Sequence, residues 1–244
     1  MLAVGSLALT GCGQKNQSNP NAGKGGGTTS KSAPLQDLNI KSRDEVKDGG
    51  TVRFSIETLP TTWNALHIDG TTVDLGTTIM GFVGANNFDI AEDGTPKPDT
   101  DYLQSYDVQT NGGKQVVTLH LNPKAKWNSG RTIDYTDYQA TWKANNGANE
   151  DFKMASSDGF NQIESVRKGD KDTDVVITYK ATYPDWTATW SSVMPKEGVG
   201  TPETFNNGWK QFKPEWFTGP FTLDRIDQAQ KTLYLKRNPN WWGE

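Results

Sequence analysis

The chain predicts a mixed α/β fold of the α+β kind, set behind a long polar leader. Three observations lead there. Strand-like runs recur at 52–56, 116–121 and 175–179, a capped helix begins at Asp134, and no strict strand–helix–strand repeat links them. In the first run, Val52, Phe54 and Ile56 alternate with Arg53, Ser55 and Glu57, the period of a half-buried strand. Leu59-Pro60 ends it, because proline cannot donate to a ladder. A weaker helix covers 73–82. The turn Asn111-Gly112-Gly113 leads into the second strand.

The best helix starts where the Asp134 side chain can cap the free amides of a first turn. Asp137 adds favourable negative charge there. Tyr138 and Trp142, four residues apart, share one face, and Asn145-Asn146-Gly147 closes the helix. The third strand follows a charged turn over 168–174. Phe221-Thr222-Leu223 and Leu233-Tyr234-Leu235-Lys236 read as a hairpin.

Composition excludes several function classes. Charged residues make up 22% and hydrophobic ones 33%, with a formal charge of −4 and no basic face, which argues against a nucleic-acid partner. One cysteine allows neither an intramolecular disulfide nor a cysteine-rich zinc site. His67 and His120 sit in no catalytic motif and read as ordinary surface or core histidines. No phosphate-binding glycine loop, His-Glu-x-x-His or calcium loop is present, so no catalytic residue, metal or cofactor is expected, and the chain is not read as an enzyme. The acidic pairs Glu92-Asp93 and Asp99 with Asp101 read as solvated loops. Nine tryptophans stand out in so polar a chain, and Trp186 and Trp190 are expected in the core rather than lining a pocket.

Residues 2–9 form an apolar run too short to span a bilayer, but of the length of a signal-peptide core. It runs into Leu9-Thr10-Gly11-Cys12, which resembles a bacterial lipobox. Residues 1–12 are therefore expected to act as a signal, with Cys12 lipidated and acyl chains holding the protein at a membrane. Residues 13–48, rich in Asn, Gln, Ser, Gly and Thr around Gly25-Gly26-Gly27, cannot bury enough apolar surface to order themselves and read as a flexible tether.

Four stretches of the remaining chain resemble the family 5 extracellular solute-binding proteins, which include the oligopeptide- and dipeptide-binding receptors of ABC importers. The first is Gly49-Gly50-Thr51-Val52-Arg53-Phe54, continuing through Leu59-Pro60-Thr61-Thr62-Trp63-Asn64-Ala65-Leu66. The second is Leu121-Asn122-Pro123-Lys124-Ala125-Lys126-Trp127-Asn128-Ser129-Gly130 with Ile133-Asp134-Tyr135-Thr136-Asp137-Tyr138. Here Ser129 stands where the family usually has Asp, and Asp134 where it usually has Thr. The third is Thr218-Gly219-Pro220-Phe221. The fourth is Lys236-Arg237-Asn238-Pro239-Asn240-Trp241-Trp242-Gly243, with Trp241 in a position usually held by Tyr. The physical reading of these stretches is scaffold: Gly219-Pro220 suits a tight strand entry, Asn238-Pro239 a turn, and Trp241-Trp242 a wedge against the domain.

The resemblance implies a type II periplasmic-binding-protein-like fold, two lobes closing on a solute. The first lobe is expected over 49–66 and 191–244, with an inserted subdomain over 67–190, and the second lobe is expected beyond residue 244. Peptide backbones are held in this family by strand-like hydrogen bonds. The segment after the first strand, Glu57, Thr58 and Leu59, is the first choice for ligand contact, with Trp63 and Asn64 nearby. The implied function is capture of peptides for an ABC permease by a monomeric lipoprotein on the outer membrane face or in the periplasm. An oligosaccharide or other solute receptor, or a peptide sensor without transport, are the alternatives. With one wall of the cleft only, residues 1–244 are expected to bind ligand weakly or not at all.

Overall fold

The structure, a computed structural model, describes residues 41–243. The apolar run, Cys12 and the tether as far as residue 40 lie outside the described residues.

The centre is an antiparallel sheet of four strands in the order β4 (Leu103–Asn111), β5 (Lys114–Leu121), β7 (Asp174–Tyr179) and β6 (Ile163–Lys168). β4 and β5 form a hairpin across Gly112 and Gly113, with φ of 58° and 79°, left-handed values that glycine adopts without strain. The register sets one apolar face: Val117 lies opposite Ile177, and Leu119 opposite Val175. All four are fully buried, as is Tyr179. The second and third strands expected from the sequence are β5 and β7.

Helix α2 (Tyr135–Asn145) covers that face. Its start follows the sequence logic: the Asp134 side chain accepts from the Thr136 amide, and Asp137 reciprocates to the Asp134 amide to complete a capping box. Tyr138 is wholly buried and Trp142 packs half-buried on the same core. Gly147, at φ 80°, follows the C-terminal end. Trp186 and Trp190 are both buried, and Trp190 Nε1 donates to the Tyr179 hydroxyl at 3.1 Å.

A second apolar cluster lies around Trp63, Leu75, Met80, Val83, Phe205, Trp209 and Phe217. The expected helix at 73–82 supplies part of it: a π-helical turn over Asp74–Ile79 continues into α1 (Met80–Val83). The short helices α4 (Lys196–Val199) and α5 (Pro202–Asn207) supply more, α5 opening with a capping box at Thr201. The expected C-terminal hairpin is β9 (Phe221–Asp227) paired antiparallel with β10 (Thr232–Arg237).

One expectation fails. No strand forms over 51–56, and Val52 and Phe54 are 76% and 59% exposed. Alternation encodes a face to be covered, but a strand also needs a neighbour to complete its ladder. No described strand pairs with this run. Its one aromatic contact is the Phe54 ring on Phe82, with centroids 5.4 Å apart.

Candidate ligand-binding wall

The stretch from 54 to 64 divides into an exposed half and a buried half. Glu57 and Thr58 are exposed, and Leu59 is half-buried. This exposed stretch is held at two points. Phe54 packs on Phe82, which in turn meets Phe221 edge-on at 5.7 Å. Beyond it, the amides of Glu57 and Thr58 both donate to one oxygen of Asp74, at 2.9 and 3.0 Å. Asp74 stands in the first turn of its helix, where a carboxylate is also favoured by the helix dipole. Two adjacent amides thus converge on one charged acceptor, and charge-assisted bonds of this kind are the stronger ones. The Glu57 and Thr58 amides, and at 3.5 Å the Thr58 hydroxyl, are thus engaged by Asp74, while both residues remain exposed.

Past Leu59-Pro60 the chain dives into the second cluster. Trp63 is 3% exposed; its ring meets Phe212 edge-on at 4.7 Å, and its amide donates to the Trp209 carbonyl at 2.8 Å. Asn64 is wholly buried. Its amide group donates to the Phe205 carbonyl at 3.0 Å, and its side-chain oxygen accepts from the Leu66 amide at 3.0 Å. Gly70 follows from the same packing, since a Cβ there would collide with the Asn64 carbonyl. The structure therefore leaves Glu57 and Thr58 at the surface with Leu59 half-buried, and buries the Trp63 and Asn64 side chains inside the protein. Sequence reasoning did not single out Asp74. A helical first turn is a readable place for an acid, but bonds to residues sixteen and seventeen positions upstream are not.

The other family-like stretches meet elsewhere, in one hydrogen-bonded knot. The Asn128 amide donates to the Phe217 carbonyl at 2.8 Å. Asn238 Nδ2 donates to Asn128 Oδ1 and to the Gly219 carbonyl, each at 2.8 Å. The Lys126 carbonyl accepts from the Thr218 hydroxyl and from Trp242 Nε1. Trp241 and Trp242 both pack on Tyr102, at 5.9 and 5.2 Å. The amides of Thr218 and Gly219 donate to the Val83 carbonyl, and a Cβ on Gly219 would strike the Phe82 carbonyl, so glycine is required there by close approach.

Beside this knot lies a buried carboxylate. Asp137 is wholly enclosed and accepts five bonds: from Trp127 Nε1 (3.0 Å), from Arg131 Nη1 (3.0 Å) and Nη2 (2.6 Å), and from the amides of Asp134 (3.1 Å) and Lys196 (2.9 Å). Its lone pairs are consumed inside the fold, so it is structural. Asp99, read from the sequence as solvated, is half-buried. Burial, with the nearby Asp89 and Asp101 charges adding to it, pushes its carboxyl up to about 6, against a bond from the Asp101 amide that works the other way. Among the described residues, no group of three or more His, Cys, Asp or Glu is arranged to hold a metal ion.

Residues 95–244 match the profile of the bacterial extracellular solute-binding proteins, family 5. The chain belongs to this family. Family 5 relatives include the oligopeptide-binding protein OppA of Mycobacterium tuberculosis, 33% identical over 248 residues, covering 98% of this chain and 40% of that protein. The probable monoacyl phosphatidylinositol tetramannoside-binding protein LpqW of the same organism is 26% identical over 146 residues, covering 59% of this chain and 22% of that one. Among solved structures, the periplasmic EDTA-binding protein EppA superposes with a TM-score of 0.67 at 24% identity, over 75% of this chain and 35% of that one. The oligopeptide-binding protein AppA from Bacillus subtilis, in complex with a nonapeptide, gives 0.62 at 19% identity, over 76% and 36%. The expected mixed α/β, periplasmic-binding-protein-like fold is therefore the one found. The chain spans about 40% of the length of the OppA relatives it matches.

Proposed function

We propose that this chain supplies one wall of a peptide-binding cleft in an oligopeptide receptor. The carrying observation is 33% identity to oligopeptide-binding OppA across 98% of the chain, within a family of solute-binding proteins. The wall is the segment Glu57–Thr58–Leu59, positioned by the bonds from its amides to Asp74 and followed in the chain by the buried anchors Trp63 and Asn64. The backbone of this exposed segment can pair with a peptide in the manner of an added strand, and this backbone reading leaves side-chain selection loose. The Glu57 carboxylate can meet a ligand cation.

In this reading, Cys12 carries the lipid anchor, 13–48 is the tether, and the loaded receptor delivers its solute to an ABC permease at the outer face of the membrane or in the periplasm. The first lobe is built from 49–66 and 191–244 around the insertion at 67–190. The similarity to LpqW favours a second reading, a receptor for a mannose-bearing lipid or oligosaccharide. Calorimetric titration of the product of the whole reading frame, with mixed tri- to pentapeptides and separately with mannose oligosaccharides, decides between them. Peptide binding lost on Glu57 and Thr58 substitution supports the first reading; saccharide binding alone sinks it.

A further inference from the structure

His120 projects from β5 on the face of the sheet opposite α2, between two carboxylates. Its Nδ1 lies 2.9 Å from Asp174 Oδ1, at the start of β7, and its Nε2 lies 3.1 Å from Asp107 Oδ2, on β4. An ionised carboxylate only accepts hydrogen bonds, and a neutral imidazole has a single N–H. Both contacts can be satisfied together only by an imidazolium. We propose that His120 is a protonated clasp that fastens the edge strand β4 to β7 across β5, and that alkalinisation opens it by removing one of its two protons.

The surroundings fit. β4 ends the sheet on one side; Leu103 is buried and the Tyr106 ring meets Phe88 and Trp186 edge-on, but from Gln104 to Asn111 its residues are exposed. The charged groups facing the imidazole are Asp107 from β4 and Asp174 from β7. Lys171, in the turn before β7, acts on Asp174, and its backbone amide donates to Asp174 Oδ2 at 3.1 Å. The bond to Asp174, together with that to Asp107, raises the proton affinity of His120 above that of a free imidazole, outweighing partial burial. Since the folded state binds this proton more tightly than the unfolded chain, the clasp's contribution is complete below about pH 6.5 and fades as the pH rises through the folded value.

The other histidine provides an internal reference. His67 is buried, its Nδ1 accepts from the Asp69 amide at 3.1 Å, and burial lowers its proton affinity. The two imidazoles are therefore expected to titrate on opposite sides of the ordinary value. Long-range proton–nitrogen NMR on histidine-labelled chain, followed from about pH 5 to about pH 9, reads each one separately. The expected result is two protonated nitrogens on His120 at neutral pH, a midpoint above the free value, and a downward shift in Asp107→Asn. Asp107 is largely exposed, so this variant tests the clasp without threatening the fold. Amide protection in β4 should fall on the alkaline side by up to about fivefold, the equivalent of an exposed ion pair, and His120→Gln should show the lower protection at every pH. A single neutral tautomer at neutral pH, or a midpoint unmoved by Asp107→Asn, overturns the proposal.

Discussion

Replacing Asp74 with alanine separates the positioning of the proposed wall from its chemistry. The carboxylate holds the amides of Glu57 and Thr58 at 2.9 and 3.0 Å and lies 3.5 Å from the Thr58 hydroxyl. Both residues are exposed, so water can take over as acceptor, and the folded chain should lose less than about 1 kcal/mol. Their conformational freedom changes more. Fixing one residue's backbone costs roughly 1–2 kcal/mol, and in the native protein that ordering is complete before a ligand arrives. In Asp74→Ala, binding must supply it. Phe54 on one side and Leu59-Pro60 on the other still restrain the loop, so about half of the two-residue total, roughly 1–2 kcal/mol, should appear as lost affinity. That is about a 5- to 30-fold rise in Kd. Calorimetry with a tight-binding peptide, on the product of the whole reading frame, measures it, with urea unfolding as the control. An unchanged Kd, or a Kd that worsens only in step with a lowered unfolding midpoint, refutes the reasoning.

Asp137→Ala should cost about 3–5 kcal/mol, because it leaves buried Trp127 Nε1 and the Asp134 and Lys196 amides without their acceptor and takes two bonds from Arg131, which keeps Glu197; tryptophan-detected urea unfolding reads this directly. Gly219→Ala drives a methyl group into the Phe82 carbonyl and should cost about 2 kcal/mol or more in the same assay. Asp99→Asn should stabilise the protein at pH 7 and leave it unchanged near pH 4. With the folded carboxyl at about 6 and the unfolded one at 3.8, the native state holds the extra proton between those values, so ionisation costs the fold stability as pH rises through that window. The shift alone corresponds to about 3 kcal/mol, and the group's partial exposure screens this to about 1 kcal/mol, which comparison of unfolding midpoints at the two pH values checks. Cys12→Ser should move the protein from the detergent phase to the aqueous phase on Triton partitioning of cells.

Much of the fold was legible where local chemistry decides it. Asp134 and Asp137 announce a helix start because both partners of a capping box lie within one turn, and Gly112-Gly113 announces a hairpin because only certain residues take positive φ cheaply. The strands β5 and β7 carry apolar residues because their faces are buried. β4 went unread for the opposite reason: beyond Leu103 its residues are exposed and carry no apolar rhythm. The run at 52–56 misled in the other direction, since its alternation describes a face while strand formation depends on a neighbour far along the chain. The proposed wall at 57–59 rests on family resemblance. Nothing local marks Glu57–Leu59 as a wall, and Asp74 enters it through tertiary contacts alone.

The two halves of the family-like pattern answer to different demands. In the knot, Asn128, Thr218 and Asn238 spend their polar groups on one another or on backbone, and Asp137 accepts all five of its donors from within the fold. Such residues have nothing left to offer a ligand, and each change there leaves a buried partner unsatisfied, which accounts for motifs visible in the bare sequence. At 57–59 the reverse holds: two amides are held by Asp74, and Glu57 and Thr58 are exposed, so their side chains can vary at little stability cost. One backbone framework can then carry walls suited to different solutes, as the fold shared with an EDTA-binding protein and with a nonapeptide complex illustrates. The consequence is a double dissociation. Side-chain substitutions at Glu57 and Thr58 should change ligand affinity with unfolding midpoints intact, whereas substitutions at Asp137 or Gly219 should lower midpoints and leave the affinity of the molecules that remain folded unchanged.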